Sequence, residues 1–213
     1  MDVEQQPTGN RRGQRSRKEI LDVAVRLMAE KGYAATSVST LCQETGLPKS
    51  AIYHHFQSKA GLLTAVMEYN ARLFFDAMQR SHVEPLKQGS TYERLNWYLQ
   101  RTGEVFLTHT DFMRLHLILV MSAEAPEISE MIQQVRHDGR EYMHHMIRSS
   151  FCHYESKIAH AIADKLTYFA IAGFDGAVVE MQADPSRTLE AALSLLAEAI
   201  TMMGEKYAEQ LSA

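Results

Sequence analysis

Gly46-Leu47-Pro48-Lys49-Ser50-Ala51-Ile52-Tyr53-His54-His55-Phe56 packs two aromatics, two adjacent histidines, a lysine and a serine into about a turn and a half of helix. Pro48 suits the first turn, where its missing N–H is one that a helix start leaves unbonded anyway. Ile52, Tyr53 and Phe56 supply the apolar side, and Gly46 ends the helix before it. Two short helices joined by a tight turn make a helix-turn-helix, whose second helix enters the DNA major groove by its N-terminal residues. The side chains suit that task. Lys49 and Ser50 stand where a helix start reaches phosphate or base edges. Ala51 is small enough for close approach and for contact with a thymine methyl. Tyr53, His54 and His55 present ring-borne donors to the DNA backbone, while Ile52 and Phe56 hold the helix on its scaffold.

Outward from this stretch the pattern is helical. Ser16-x-x-Glu19 has the form of a capping box, followed by Ile20, Leu21, Ala24, Leu27 and Met28 at helical spacing and by Gly32 as a stop. This predicts a first helix over about 16–31. Thr36 or Ser37 caps a short second helix bearing Val38, Leu41 and Cys42. Ser58 caps a long helix over about 58–80, where Lys59 and the free N–H groups together favour a phosphate. After a break at Pro85 to Gly89, helices are expected at about 91–108, 111–122, 127–152, 157–182 and 186–209. No alternating run bounded by turns marks a strand. The fold class is all-α: a disordered, basic-ended arm over 1–12, a three-helix helix-turn-helix DNA-binding domain over 13–60, and a larger helical ligand-binding and dimerisation domain over 61–213.

Composition agrees. The chain has 213 residues, 46% hydrophobic and 23% charged, and no apolar run approaches the ~18 residues that span a bilayer. Met1 to Asn10 is polar without an apolar signal core, so a cytoplasmic protein that does not engage membrane is expected. Cys42 and Cys152 are far apart and read as reduced, packed thiols. The net charge of −4 divides unevenly. Residues 10–60 hold nine Lys or Arg against four Asp or Glu, giving +5, so the remainder carries −9. A basic N-terminal quarter on an acidic body points to a polyanion as that quarter's partner.

Gly32-Tyr33-Ala34-Ala35-Thr36-Ser37-Val38, then Leu41, then Gly46 through Lys59 and Leu62-Leu63 resemble the DNA-binding domain of tetracycline-repressor-type (TetR/AcrR) transcription regulators. The resemblance covers about residues 14–65. It implies that Thr36 or Ser37 contacts phosphate at the start of the second helix. It places Lys49, Ser50, Ala51, Tyr53 and His54 on the recognition helix and gives His55 and Lys59 to phosphates. Two positions depart from the pattern: Cys42 where a small alanine is usual, and Gly61 where an acid is common.

Beyond residue 65 the resemblance is one of helical layout. It implies a homodimer joined by the last two helices, with Ile162, Phe169, Gly173, Ala177, Leu193, Leu196 and Ile200 at the interface. The same stripes could instead face their own core. The resemblance also implies a cavity for a small apolar or amphipathic effector, with Trp97, Phe112, Arg114, His116, Met146 and Phe169 as candidates beside the plainer reading of core packing. Arg114 and His116 could meet a polar head group or pair with a nearby acid. No cofactor is expected. Nor is a metal: His109 and His116, His137 and His144, and His153 and His160 each lie seven apart, about two helical turns, too far for one ion. The expected function is a ligand-responsive regulator, a repressor, bound as a dimer to a palindromic double-stranded DNA operator. The alternative is an all-α enzyme binding a small molecule, for which no convergent acid, base or metal groups are apparent.

Overall fold

The computed structural model describes residues 8–86, 88–122, 128–184 and 186–212, with side chains described from Gly13 to Leu211. They form α1 (Thr8–Lys31), α2 (Val38–Thr45), α3 (Lys49–Phe56), α4 (Lys59–Ser81), α5 (Thr91–Thr108), α6 (Thr110–Met121), α7 (Ser129–Ser150), α8 (Ser156–Ala183) and α9 (Leu189–Ser212). Among the described residues there is no strand, as expected.

One correction concerns the start of α1. It begins at Thr8, not near residue 16, so part of the expected arm is helical; residues 1–7 lie outside the described residues. Ser16 is therefore inside the helix, and its hydroxyl donates to the Gly13 carbonyl at 3.0 Å instead of capping. The reciprocal box forms at Ser90 and Glu93. The Glu93 carboxylate accepts from the Ser90 N–H at 2.7 Å, and the Ser90 hydroxyl accepts from the Glu93 N–H at 3.2 Å, opening α5. Those bonds to Ser90 hold the Glu93 carboxyl below its usual range. The same four-residue pattern gives a cap only where the chain arrives in a non-helical conformation.

The helices assemble into two compact units. The first takes the chain to Leu73 and also His109–Gln133; the second takes Phe74–Thr108 and Gln134–Ala213. This differs from a single boundary at residue 60. The apolar stripe of α1, with Ile20, Leu21, Ala24, Leu27 and Met28 all buried, packs against α6, whose Phe112, Leu115, His116 and Leu119 are buried in turn. In the second unit α9 packs against both α5 and α8, with Leu95, Leu99, Ile162, Leu166, Leu193 and Ile200 in its core. Each such aliphatic side chain contributes about 1.5–3 kcal/mol when fully buried.

Candidate nucleic-acid interface

Three residues, Gly46-Leu47-Pro48, separate α2 from α3. Gly46 closes α2 at φ 67°, ψ 5°, the left-handed conformation that glycine adopts without a Cβ penalty. The Thr45 hydroxyl donates to the Leu41 carbonyl at 2.7 Å and accepts from the Leu47 N–H at 3.2 Å, tying the turn to the end of α2. Pro48 is extended at φ −70°, ψ 153°, and its carbonyl accepts from the Ala51 N–H at 2.9 Å. The local sequence thus forces a sharp redirection and restarts a helix at Lys49.

Only Ile52 and Phe56 of α3 are buried. Four residues apart, they fix one face of the helix. Lys49, Ser50, Tyr53 and His54 are exposed, Tyr53 by 42%. The Lys49 ammonium lies 5.7 Å from the centre of the Tyr53 ring, close enough for a weak cation–π attraction of ~0.5 kcal/mol that aligns both side chains on the open face. Lys49 in the first turn of α3 and Tyr53 one turn further along form a surface suited to phosphate and base edges.

The remaining candidates divide. Ser37 is exposed and caps α2, its hydroxyl accepting from the Thr40 N–H at 3.0 Å. Thr36 is corrected: it is 1% exposed and donates its hydroxyl to the Gly32 carbonyl at 2.9 Å, so of the pair Ser37 is the residue at the surface. Ala51 is half-buried. His55 is also half-buried; its Nε2 lies 3.0 Å from the Ser16 hydroxyl, which joins α3 to α1. Lys59 donates to the Ala34 carbonyl at 2.8 Å, and its ammonium sits 4.6 Å from the Tyr33 ring centre. Its first task is to clasp the start of α4 to the turn after α1. Arg26 adds a second clasp, bonding Glu44 of α2 at 2.8 Å. Arg15 and Arg17 are exposed on α1, and the Arg17 guanidinium lies 5.4 Å from the Phe56 ring centre. Sequence patterning did not single out Arg17; its part in the basic balance was the available signal.

Gly61, a departure from the family pattern, has a geometric cause. A Cβ there would lie 2.3 Å from the Phe56 carbonyl oxygen. The end of α3 is folded tightly onto the start of α4, with Gln57 at φ 62° and the Ser58 hydroxyl accepting from the Gly61 N–H at 2.9 Å. Cys42, the other departure, is half-buried. Cys152 is exposed, not packed; both are free thiols.

The effector candidates fall in both units. In the first, Phe112 and His116 are buried and Arg114 is exposed. In the second, Met146 is buried and its sulfur accepts from the Thr102 hydroxyl at 3.6 Å, Trp97 is half-buried, and Phe169 is exposed. His82 lies beside Trp97, Tyr98 and Thr102. Burial is the main force that lowers the pKa values of His82, His145 and His55. An unfolded histidine titrates near ~6.5. Above that value both states are neutral and stability is fully present; as pH falls through the lowered folded values, the unfolded chain binds protons first and stability is lost. Urea unfolding therefore shows a lower midpoint at pH 5.5 than at pH 7.5, and His82→Gln reduces the difference.

The expected interface residues need a second correction. Ile162, Leu193 and Ile200 are completely buried within their own unit and cannot meet another copy. Leu196 is buried and packs on Gly173, whose added Cβ would lie 2.5 Å from a Leu196 methyl. Gly173 and Ala177 are partly exposed, beside an open groove of about 620 Å³ between α8 and α9 lined also by Gly176, Ala191, Leu195 and Ala199. The exposed apolar residues of these helices are Tyr168, Phe169 and Val179 of α8 and Leu195, Met202, Met203 and Leu211 of α9. The stripe read from the sequence along these two helices thus turns largely into the unit's own core.

No helix among the described residues is long and apolar enough to cross a membrane. Residues 20–66 match the family model for bacterial regulatory proteins of the tetR family. The chain is 32% identical over 119 residues to the uncharacterized HTH-type transcriptional regulator YerO of Bacillus subtilis, a match covering 56% of this chain and 41% of that protein. It is 33% identical over 84 residues to the HTH-type transcriptional repressor AcnR of Corynebacterium glutamicum, covering 38% of this chain and 45% of the relative. The match thus spans less than half the length of either relative. Among solved structures, a putative transcriptional regulator from Saccharomonospora viridis in complex with choline superposes with a TM-score of 0.70 at 21% identity, over 88% of this chain and 96% of the other. A TetR transcriptional regulator from Chloroflexus aurantiacus gives 0.66 at 24% identity, over 90% and 96%.

Proposed function

We propose that the chain is a regulator of the tetR type, the kind its residues 20–66 match, that it binds a palindromic DNA operator as a homodimer, and that it represses the adjoining gene until a small effector releases it. The observation that carries this reading is the open face of α3: Lys49, Ser50, Tyr53 and His54 stand outward while Ile52 and Phe56 anchor the helix behind them. Ser37 at the start of α2 supplies a flanking phosphate contact. Lys59 and His55 brace this surface, and any phosphate contact from them uses donor capacity beyond their internal bonds. A single eight-residue helix reads few base pairs, and two copies about one DNA turn apart read a longer, symmetric site.

The dimer forms through the outward faces of α8 and α9. Tyr168 and Leu195 are 71% and 67% exposed, and Gly176 has no neighbour within 4 Å of where its Cβ would stand, leaving room for another helix to approach. Leu195→Glu places a charge on that face and is expected to weaken self-association roughly tenfold, about 1.4 kcal/mol. Sedimentation equilibrium across a dilution series reads the effect. The effector is an apolar or amphipathic small molecule, with Trp97 and Met146 the candidates retained in the second unit; its preference for the DNA-free arrangement by ~3 kcal/mol shifts the balance more than a hundredfold.

A gel-shift of genomic fragments tests the DNA reading. Retarded fragments that resist competitor DNA, and that Lys49→Ala releases, support it. No retardation even at low salt removes it and returns the small-molecule enzyme as the alternative.

A further inference from the structure

His144 of α7 and His160 and Asp164 of α8 converge at the surface of the second unit. The His144 Nε2 is 3.0 Å from Asp164 Oδ1, and the His160 Nε2 is 3.7 Å from Asp164 Oδ2. The two imidazole rings stand edge to face with centroids 4.9 Å apart. One ligating atom from each of the three side chains lies within 4.8 Å of the others. His160 and Asp164 share a helix face because they are four residues apart, and the packing of the helices brings His144 to them. The expectation of no metal rested on spacing along single helices, which does not detect a set that closes across two.

A hydrogen bond between His144 and Asp164 accounts for two of these residues. It leaves His160 unexplained: at 3.7 Å its nitrogen is beyond hydrogen-bonding range, yet it is turned toward the same carboxylate as His144. Two imidazole nitrogens and one carboxylate oxygen form a donor set suited to zinc and neighbouring divalent transition ions, not to magnesium or calcium, which favour oxygen alone. A tetrahedral ion with bonds of ~2.0–2.1 Å holds its ligand atoms roughly 3.3 Å apart. The two nitrogens lie 3.0 and 3.7 Å from different oxygens of Asp164, and the three ligating atoms lie within 4.8 Å of one another, so rotation of these partly exposed side chains has to draw them together around the ion. Partial exposure of His160 and Asp164 gives an ion a path from solvent and leaves its fourth position to water.

We propose that His144, His160 and Asp164 bind one divalent transition-metal ion of the zinc class per chain, bridging α7 and α8. The inference is independent of the DNA reading and is tested without DNA. Full-length protein is titrated with Zn2+ against a chromophoric chelator, and with Co2+ for the visible bands of a four-coordinate site. One equivalent binds, and His144→Ala and His160→Ala each weaken binding by at least ~10- to 100-fold, the loss typical even for a partner that only supports a ligand. Asp164→Asn, which keeps an acceptor for His144, also loses the ion, while His153→Ala retains it. Circular dichroism confirms that each variant is folded. The proposal is overturned if wild-type protein binds no equivalent, or if the folded His144→Ala/His160→Ala double variant binds as wild type does.

Discussion

Tyr53→Ala combined with Lys49→Ala is expected to lower affinity for the proposed operator by two orders of magnitude or more while leaving helicity and self-association unchanged. Both side chains stand on the open face of α3, Tyr53 by 42%, and neither belongs to the core that Ile52 and Phe56 build. A good contact to a base or phosphate contributes ~1–2 kcal/mol, and each is made twice in a symmetric complex, so even two lost contacts approach ~2–4 kcal/mol. Fluorescence anisotropy on a labelled operator measures this. The single variants separate the roles: loss of Lys49 reduces the salt dependence of binding, because fewer counterions are released, whereas loss of Tyr53 leaves that slope nearer wild type. Wild-type affinity in the double variant would show that α3 is not the reading surface.

Gly61→Ala should act through architecture. The new methyl cannot stand 2.3 Å from a backbone carbonyl, and that carbonyl belongs to Phe56, the last residue of α3. The junction must open. Overpacking of this kind costs about 1–3 kcal/mol, and the relaxed junction displaces the recognition helix from its seat. A lower thermal midpoint together with weaker binding to the proposed operator is expected, although residue 61 lies on α4 and not on the open face of α3. A Gly61→Ala protein as stable and as tight-binding as wild type would mean that the close approach is not needed.

Most of the architecture was legible in the sequence because helix stops are local chemistry. Gly32, Gly46, Pro48 and Ser58 set ends that the structure keeps within a residue or two. The open face of α3 was readable for the same reason, since a four-residue anchor pair leaves the rest of a short helix outside. Three features were not legible, each for a stated cause. The capping pattern at Ser16 was overridden because α1 continues through it to Thr8. Burial of Thr36, Ile162, Leu193 and Ile200 depends on which helix lies opposite, and periodicity reveals a stripe without naming its partner. The convergence of His144 with His160 and Asp164 arises only when α7 and α8 are set side by side.

The clasp of Lys59 on Ala34 and Tyr33 has a wider consequence. With Arg26 gripping Glu44, Ser16 touching His55 and the Gly61 junction closed, the reading head is bolted at four corners. Such a block is poorly suited to flexing letter by letter against different sequences. If the proposed effector response exists, substitutions that alter it without altering which sequence is chosen should map outside these four bolts.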